Sequence, residues 1–173
     1  MSKYPFIHLR TQSSYSLAES TIKIEKLVNL AKKNNMPAIA LTDNNNMFGA
    51  LEFSIECKKK GIQPIIGTTI NLLDVSYNRE FAQITFLVVS ETGYENLLYL
   101  SSKSHTQQDQ HVGISTEDVL NHSEGLISYV GGEYNPLLFY KMQNKFEKQK
   151  MHLNSLQKCF KGNFYIELQR IDN

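Results

Sequence analysis

His8, Arg10 and Gln12 fall at alternate positions of the stretch Phe6-Ile7-His8-Leu9-Arg10-Thr11-Gln12-Ser13-Ser14-Tyr15-Ser16. Read as a short strand running into a polar loop, it puts these three side chains on one face and Ile7, Leu9 and Thr11 on the other. Ligands of α/β proteins bind outside the carboxyl ends of strands, so a strand end with a row of polar groups is a candidate site. Asp43 of Thr42-Asp43-Asn44, which follows the apolar run 38–41, is a second polar residue at a strand end. Plainer roles compete: a hydrogen-bonded structural histidine for His8, and an Asx-type turn cap or ion-pair partner for Asp43.

Other chemistry-bearing residues carry less. His105 and His111 flank a polar loop with Asp109 near, but their spacing fits no metal motif. His122 and His152 fall in helical stretches and read as surface residues. Gly131-Gly132 reads as a strand-end turn before it reads as a phosphate cradle. Lys145, Lys148 and Lys150 read as a solvated helix face, with nucleic-acid contact the sharper alternative.

The elements that must position these residues alternate between strand and helix. Ile24, Leu27, Val28 and Ala31 form one helix face, with Ser20 or Thr21 as its cap and Lys32 and Lys33 in its last turn. Residues 38–41 read as a buried parallel strand. Phe48, Leu51 and Ile55 mark a second helix, closed by Lys58-Lys59-Lys60 and Gly61. A strand extends from Pro64 toward Leu73, a turn or loop covers 74–80, and residues 84–89 form the next strand. Residues 92–103 read as helix and 105–113 as an exposed loop. Ser115 with Asp118 forms a variant capping box. Residues 125–130 form a strand, and a long helical segment from Pro136 breaks near Gln143-Asn144. Phe146, Leu153, Leu156 and Phe160 line one face of its second half, and residues 163–169 form the last strand. This alternation is the signature of an α/β fold with a largely parallel sheet.

Bulk composition narrows the class. The 173 residues carry a formal net charge of +1 and are 41% hydrophobic, which suits one globular domain and argues against binding nucleic acid by bulk charge. Cys57 and Cys159 form no CxxC pair and read as buried thiols of a reducing compartment. No signal-peptide pattern and no apolar run near the roughly 20 residues of a membrane span is present, so the expected location is cytoplasmic.

Several runs together resemble a known family: residues 6–17, Met36-Pro37-Ala38-Ile39-Ala40-Leu41-Thr42-Asp43, Met47-Phe48-Gly49, Gly61-Ile62-Gln63-Pro64-Ile65-Ile66-Gly67, Tyr94-Glu95-Asn96-Leu97 and residues 164–170. In this order they resemble the polymerase and histidinol phosphatase (PHP) domain, and more narrowly the PHP domain of the bacterial DNA polymerase III alpha subunit. The resemblance implies an α/β fold that is the N-terminal portion of a distorted (βα)7 barrel. It implies that residues 1–173 are a single PHP segment, truncated before the last strands of the barrel and before the polymerase domains. A barrel cut there leaves an open sheet edge through which the chain would self-associate.

Active members of the family resemble one another in a His/Asp/Glu cluster holding two or three divalent ions, zinc or manganese, which activate water against a phosphate ester. His8 matches the first histidine. Arg10 stands where the second would be, and a guanidinium cannot ligate a cation. Gln12 occupies a third polar position often held by histidine. Asp43 matches the second motif, but Asn44 replaces its histidine, and Thr68-Thr69 occupies the place of an acidic ligand. The resemblance therefore implies a vestigial site of His8, Arg10, Gln12, Asp43, Asn44 and Thr69, with only His8 and Asp43 left as ligands should a metal be retained. Arg10 is expected to replace the metal charge and pair with Asp43.

The implied function is a catalytically degenerate scaffold and docking module of a replicative DNA polymerase. Its implied partners are the other holoenzyme subunits, the proofreading exonuclease subunit among them, and DNA through the parent chain. The parent's magnesium-dependent nucleotidyl transfer belongs to a palm domain outside these residues. The alternatives are a metal-dependent phosphoesterase or 3'-5' exonuclease active in the complete domain, and a free-standing histidinol-phosphatase-like enzyme.

Overall fold

The structure, a computed structural model, describes residues 6–77, 80–106 and 111–169. They gather into two compact units, Met1–Thr68 and Thr69–Asn173.

In the first unit, helix α1 (Ile24–Lys33) buries Ile24, Leu27, Val28 and Ala31, the face expected from their spacing, and carries Lys32 and Lys33 in its last turn. Its start differs from expectation. The N-cap is Lys23, with no side-chain capping bond. The Ser20 hydroxyl instead donates to the Gln12 carbonyl at 3.0 Å, so it ties down the preceding loop. Strand β1 (Ala38–Leu41) is buried throughout and runs parallel to the start of strand β2 (Gln63–Tyr77), from Ala38 opposite Gln63 to Leu41 opposite Ile66.

Helix α2 (Ala50–Lys60) ends on Gly61, whose φ of 68° is the left-handed conformation that glycine adopts without strain. Its buried face is the reverse of the expected one. Ala50, Phe53 and Cys57 are buried, whereas Phe48, Leu51 and Ile55 are 71%, 74% and 46% exposed. Phe53 and Cys57 join Ile24, Val28, Ile39 and Leu41 in the core of this unit. Burial raises the Cys57 thiol pKa to about 11, so it is a packing residue.

Residues 6–16 do not form the expected strand. The stretch runs beside β1, and Ala40 and Thr42 donate their N–H groups to the carbonyls of His8 (2.9 Å) and Thr11 (2.7 Å). The ladder is interrupted by side chains. Thr11 N–H donates to the Thr42 hydroxyl at 3.1 Å, and the Thr11 hydroxyl donates to the Ala40 carbonyl.

The second unit holds the rest of β2, then β3 (Glu80–Val88), α3 (Glu91–Thr106), α4 (Thr116–Asn121), β4 (Leu126–Gly131), α5 (Pro136–Met142), α6 (Phe146–Cys159) and β5 (Phe164–Glu167). Residues 74–77 and 80 belong to strands, where a loop was expected. Strand order is β1-β2-β3-β4-β5, and the sheet is mixed, not largely parallel. β4 and β5 are parallel, but β3 and β4 are antiparallel, from Thr85 opposite Tyr129 to Val88 opposite Leu126. Only two positions separate β2 from its neighbour β3, too few for a parallel crossover, so β3 is reversed.

The Ser115–Asp118 capping box forms in both directions, and the helix break after Met142 is as expected. On α6, Leu156 is buried but Phe146 is 55% exposed. His152, expected at the surface, is only 7% exposed. Its ring lies 5.4 Å from that of Tyr140, and its Nε2 is buried with no hydrogen-bond partner. His122 is half-buried, with its ring stacked 4.0 Å from that of Tyr99. Cys159 is half-buried, and burial raises its thiol pKa. Among the described residues, no helix is long and apolar enough to cross a membrane.

Candidate functional site

Asp43 follows β1 with one intervening residue and is 1% exposed. A buried carboxylate must be compensated, and neighbouring donors do this. Oδ1 accepts from the backbone N–H of Ser13 at 2.7 Å and from the Ser16 hydroxyl at 2.6 Å, and Oδ2 accepts from the Ser13 hydroxyl at 2.7 Å. The Asp43 carbonyl accepts from the Thr68 hydroxyl at 2.7 Å.

The loop that supplies these donors is wound in successive turns. Ser16 N–H donates to the Ser13 carbonyl at 2.9 Å, and Glu19 N–H to the Ser16 carbonyl at 3.1 Å. Such turns bring residues three apart to one side, so Ser13, Ser16 and Glu19 act together. Ala18 adopts a left-handed φ of 64°, which costs an L-residue about 1 kcal/mol and redirects the chain just before Glu19. The Glu19 carboxylate then accepts from Gln12 Nε2 at 3.1 Å and from Asn44 Nδ2. Asn44 N–H donates to the Ser16 hydroxyl oxygen at 3.1 Å, which joins the two clusters.

Tyr15 and Gly49 fix the loop against α2. The Tyr15 hydroxyl donates to Glu52 Oε2 at 3.2 Å, and the Glu52 charge raises the Tyr15 pKa. A Cβ at Gly49 would lie 2.8 Å from Ile24 Cδ1 and 3.0 Å from Tyr15 Cδ2, so a larger residue there would have to push these side chains aside.

The structure therefore brings Gln12, Asp43 and Asn44 together in the first unit. His8 is exposed, with its ring edge-on to Phe6 at 4.8 Å, and Arg10 is half-buried. Thr69 belongs to the second unit, its hydroxyl 2.9 Å from that of Thr85; the threonine that binds Asp43 is Thr68. His105 and His111 are exposed, the latter 4.9 Å from the Phe81 ring, and Asp109 lies outside the described residues. Gly132 has a φ of 70°, as a strand-end turn requires. Lys145, Lys148 and Lys150 are exposed on or beside α6.

These residues do not fit a multi-metal centre. Both Asp43 oxygens already accept hydrogen bonds. Gln12 and Asn44 present N–H groups to Glu19, whereas a cation would need their oxygens. The buried Asn44 Oδ1 has no hydrogen-bond partner, but among the described residues no group of three His, Cys, Asp or Glu could hold a metal.

Ser13, Ser16 and Glu19 are absent from the residues singled out by sequence. Their signal is the i, i+3, i+6 spacing of hydroxyl and carboxyl groups in a turn-forming stretch.

The chain is 43% identical to a DNA polymerase III subunit alpha of Rickettsia felis, over 96% of the chain and 14% of that relative. It is 38% identical to the same subunit of Borreliella burgdorferi, over 95% of the chain and 15% of that relative. It thus spans about one seventh of the length of these curated relatives. Among solved structures, its fold is similar to a candidate metal-dependent phosphoesterase of Bifidobacterium adolescentis, with a TM-score of 0.59 at 11% identity, covering 93% of this chain and 75% of that one. It is also similar to an amidohydrolase of Chromobacterium violaceum solved with sulfate and no metal, with a TM-score of 0.52 at 11% identity, covering 92% and 84%. The PHP domain family matches residues 8–171, and the chain belongs to that family.

Proposed function

We propose that this chain is the first part of the PHP domain of a DNA polymerase III alpha subunit, and that it serves there as a catalytically silent scaffold and docking module. In this reading residues 1–173 form one domain segment, the opening portion of a (βα)7 barrel. The parent protein is a cytoplasmic DNA polymerase that meets DNA through its other domains and assembles with holoenzyme subunits, the proofreading exonuclease subunit among them. The observation that carries the silent reading is the Asp43 carboxylate, both of whose oxygens are taken by Ser13 and Ser16. In this reading Arg10 also pairs with Asp43, through lone pairs that the Ser13 and Ser16 donors leave.

A second reading, a metal-dependent phosphoesterase or 3'-5' exonuclease in the complete domain, draws support from the likeness to the Bifidobacterium structure. It requires zinc or manganese ligands beyond residue 173, in addition to His8 and Asp43.

Reading the gene beyond codon 173 tests the parentage. A downstream polymerase palm with its carboxylate cluster is the expected result. A stop codon directly after a completed phosphatase-type barrel would overturn it.

A further inference from the structure

We infer that Glu19 is the closure of the degenerate site: its carboxylate, in place of a cation, joins Gln12 to Asn44 and holds the loop 13–20 in shape without metal. The inference rests on the reading of the site as metal-free and assigns the residue that makes it so. A carboxylate only accepts hydrogen bonds, so both amides must turn their nitrogens toward Glu19. The amide oxygens, the groups a cation would use, point elsewhere. For Asn44 this leaves Oδ1 buried without a hydrogen-bond partner. The opposite amide orientation would set that oxygen against the Glu19 carboxylate, so the bond to Glu19 decides it.

The backbone gives an independent argument. Ala18 has a φ of 64°, a region that disfavours L-residues and persists where the surroundings over-determine it. The bonds made by Glu19 on one side, and by Ser16 to Asp43 and Asn44 on the other, supply that determination. The loop is thus fastened at both ends of the bend by hydrogen bonds between protein groups.

The test compares the unaltered 173-residue chain with Glu19→Gln, each in EDTA and in millimolar MnCl2 or ZnCl2. Glu19→Gln is expected to lower Tm by about 2–4 °C, equally in chelator and in metal, because it removes charge-assisted bonds. The Tm of the unaltered chain is expected to be the same in both conditions. A metal-induced rise that Glu19→Gln abolishes would make Glu19 a ligand and overturn the inference, as would a Glu19→Gln variant of unchanged Tm. Should that variant fail to fold, the side-chain amide NMR signals of Gln12 and Asn44 in the unaltered chain decide. They are expected to survive stoichiometric Mn2+, and their selective bleaching would overturn the inference. None of these outcomes depends on what the gene encodes downstream, so failure here and failure of the proposed parentage are separable.

Discussion

The Ser16 hydroxyl donates to Asp43 Oδ1 at 2.6 Å, linking groups 27 residues apart. With the two donors from Ser13 it gives this buried aspartate three hydrogen bonds from one loop. Asp43→Ala would leave the Ser13 N–H and both hydroxyls without their acceptor, at a cost of about 3 kcal/mol. Ser16→Ala, which removes one bond, is expected to cost about 1–2 kcal/mol. Urea denaturation of the three proteins checks both the size and the order.

His152 makes stability fall on acidification. Burial holds its pKa below the ordinary 6.5, against the opposing pull of the Asp74 carboxylate. The unfolded chain therefore takes up this proton at a higher pH than the folded chain does. The contribution is fully present above pH 6.5 and declines as the pH falls below that, until the folded ring is itself protonated. The slope is at most about 1.4 kcal/mol per pH unit. His152→Phe removes the titrating group and is expected to flatten this part of the stability–pH curve, measured by denaturation at a series of pH values.

Gly93 and Gly125 bring two backbone segments of the second unit into close approach. A Cβ on Gly93 would lie 1.9 Å from the Gly125 carbonyl oxygen, where no flexible side chain can yield. Alanine is the better helix former by about 1 kcal/mol, but the overlap dominates. Gly93→Ala is expected to cost about 3 kcal/mol net, a Tm loss of roughly 6–10 °C by calorimetry.

Strand β5 stands at the end of the strand order, and Tyr165, Ile166 and Leu168 in and just beyond it are 54%, 53% and 92% exposed. Apolar side chains on an edge strand favour association with another chain. The 173-residue chain is expected to self-associate with rising concentration in sedimentation velocity, and Ile166→Lys to shift it toward monomer. A well-behaved monomer of the unaltered chain at high concentration would contradict this.

The helices were more legible than the site. Ile24, Leu27, Val28 and Ala31 have one possible face, and it is the buried one. Two apolar sets share the same i, i+3, i+7 spacing in and just before helix α2, Phe48/Leu51/Ile55 and Ala50/Phe53/Cys57, and periodicity alone cannot choose between them. Tertiary packing selects the second. The first stretch looked like a strand because its side chains alternate, but the hydroxyls of Thr11 and Thr42 compete for the ladder. At the site, Asp43 was visible as a lone acid after an apolar run. Glu19 was not, because its role depends on a left-handed Ala18 and on turns that only the folded loop displays.

The most direct test of a silent PHP segment is metal content and phosphoester hydrolysis measured on one preparation. The chain is purified, its zinc and manganese are quantified, and p-nitrophenyl phosphate and single-stranded DNA are offered under added Mn2+ or Zn2+, with His8→Ala in parallel. The expected result is no stoichiometric metal and no hydrolysis above that of His8→Ala. Tight stoichiometric metal, with hydrolysis that His8→Ala abolishes, would contradict the account.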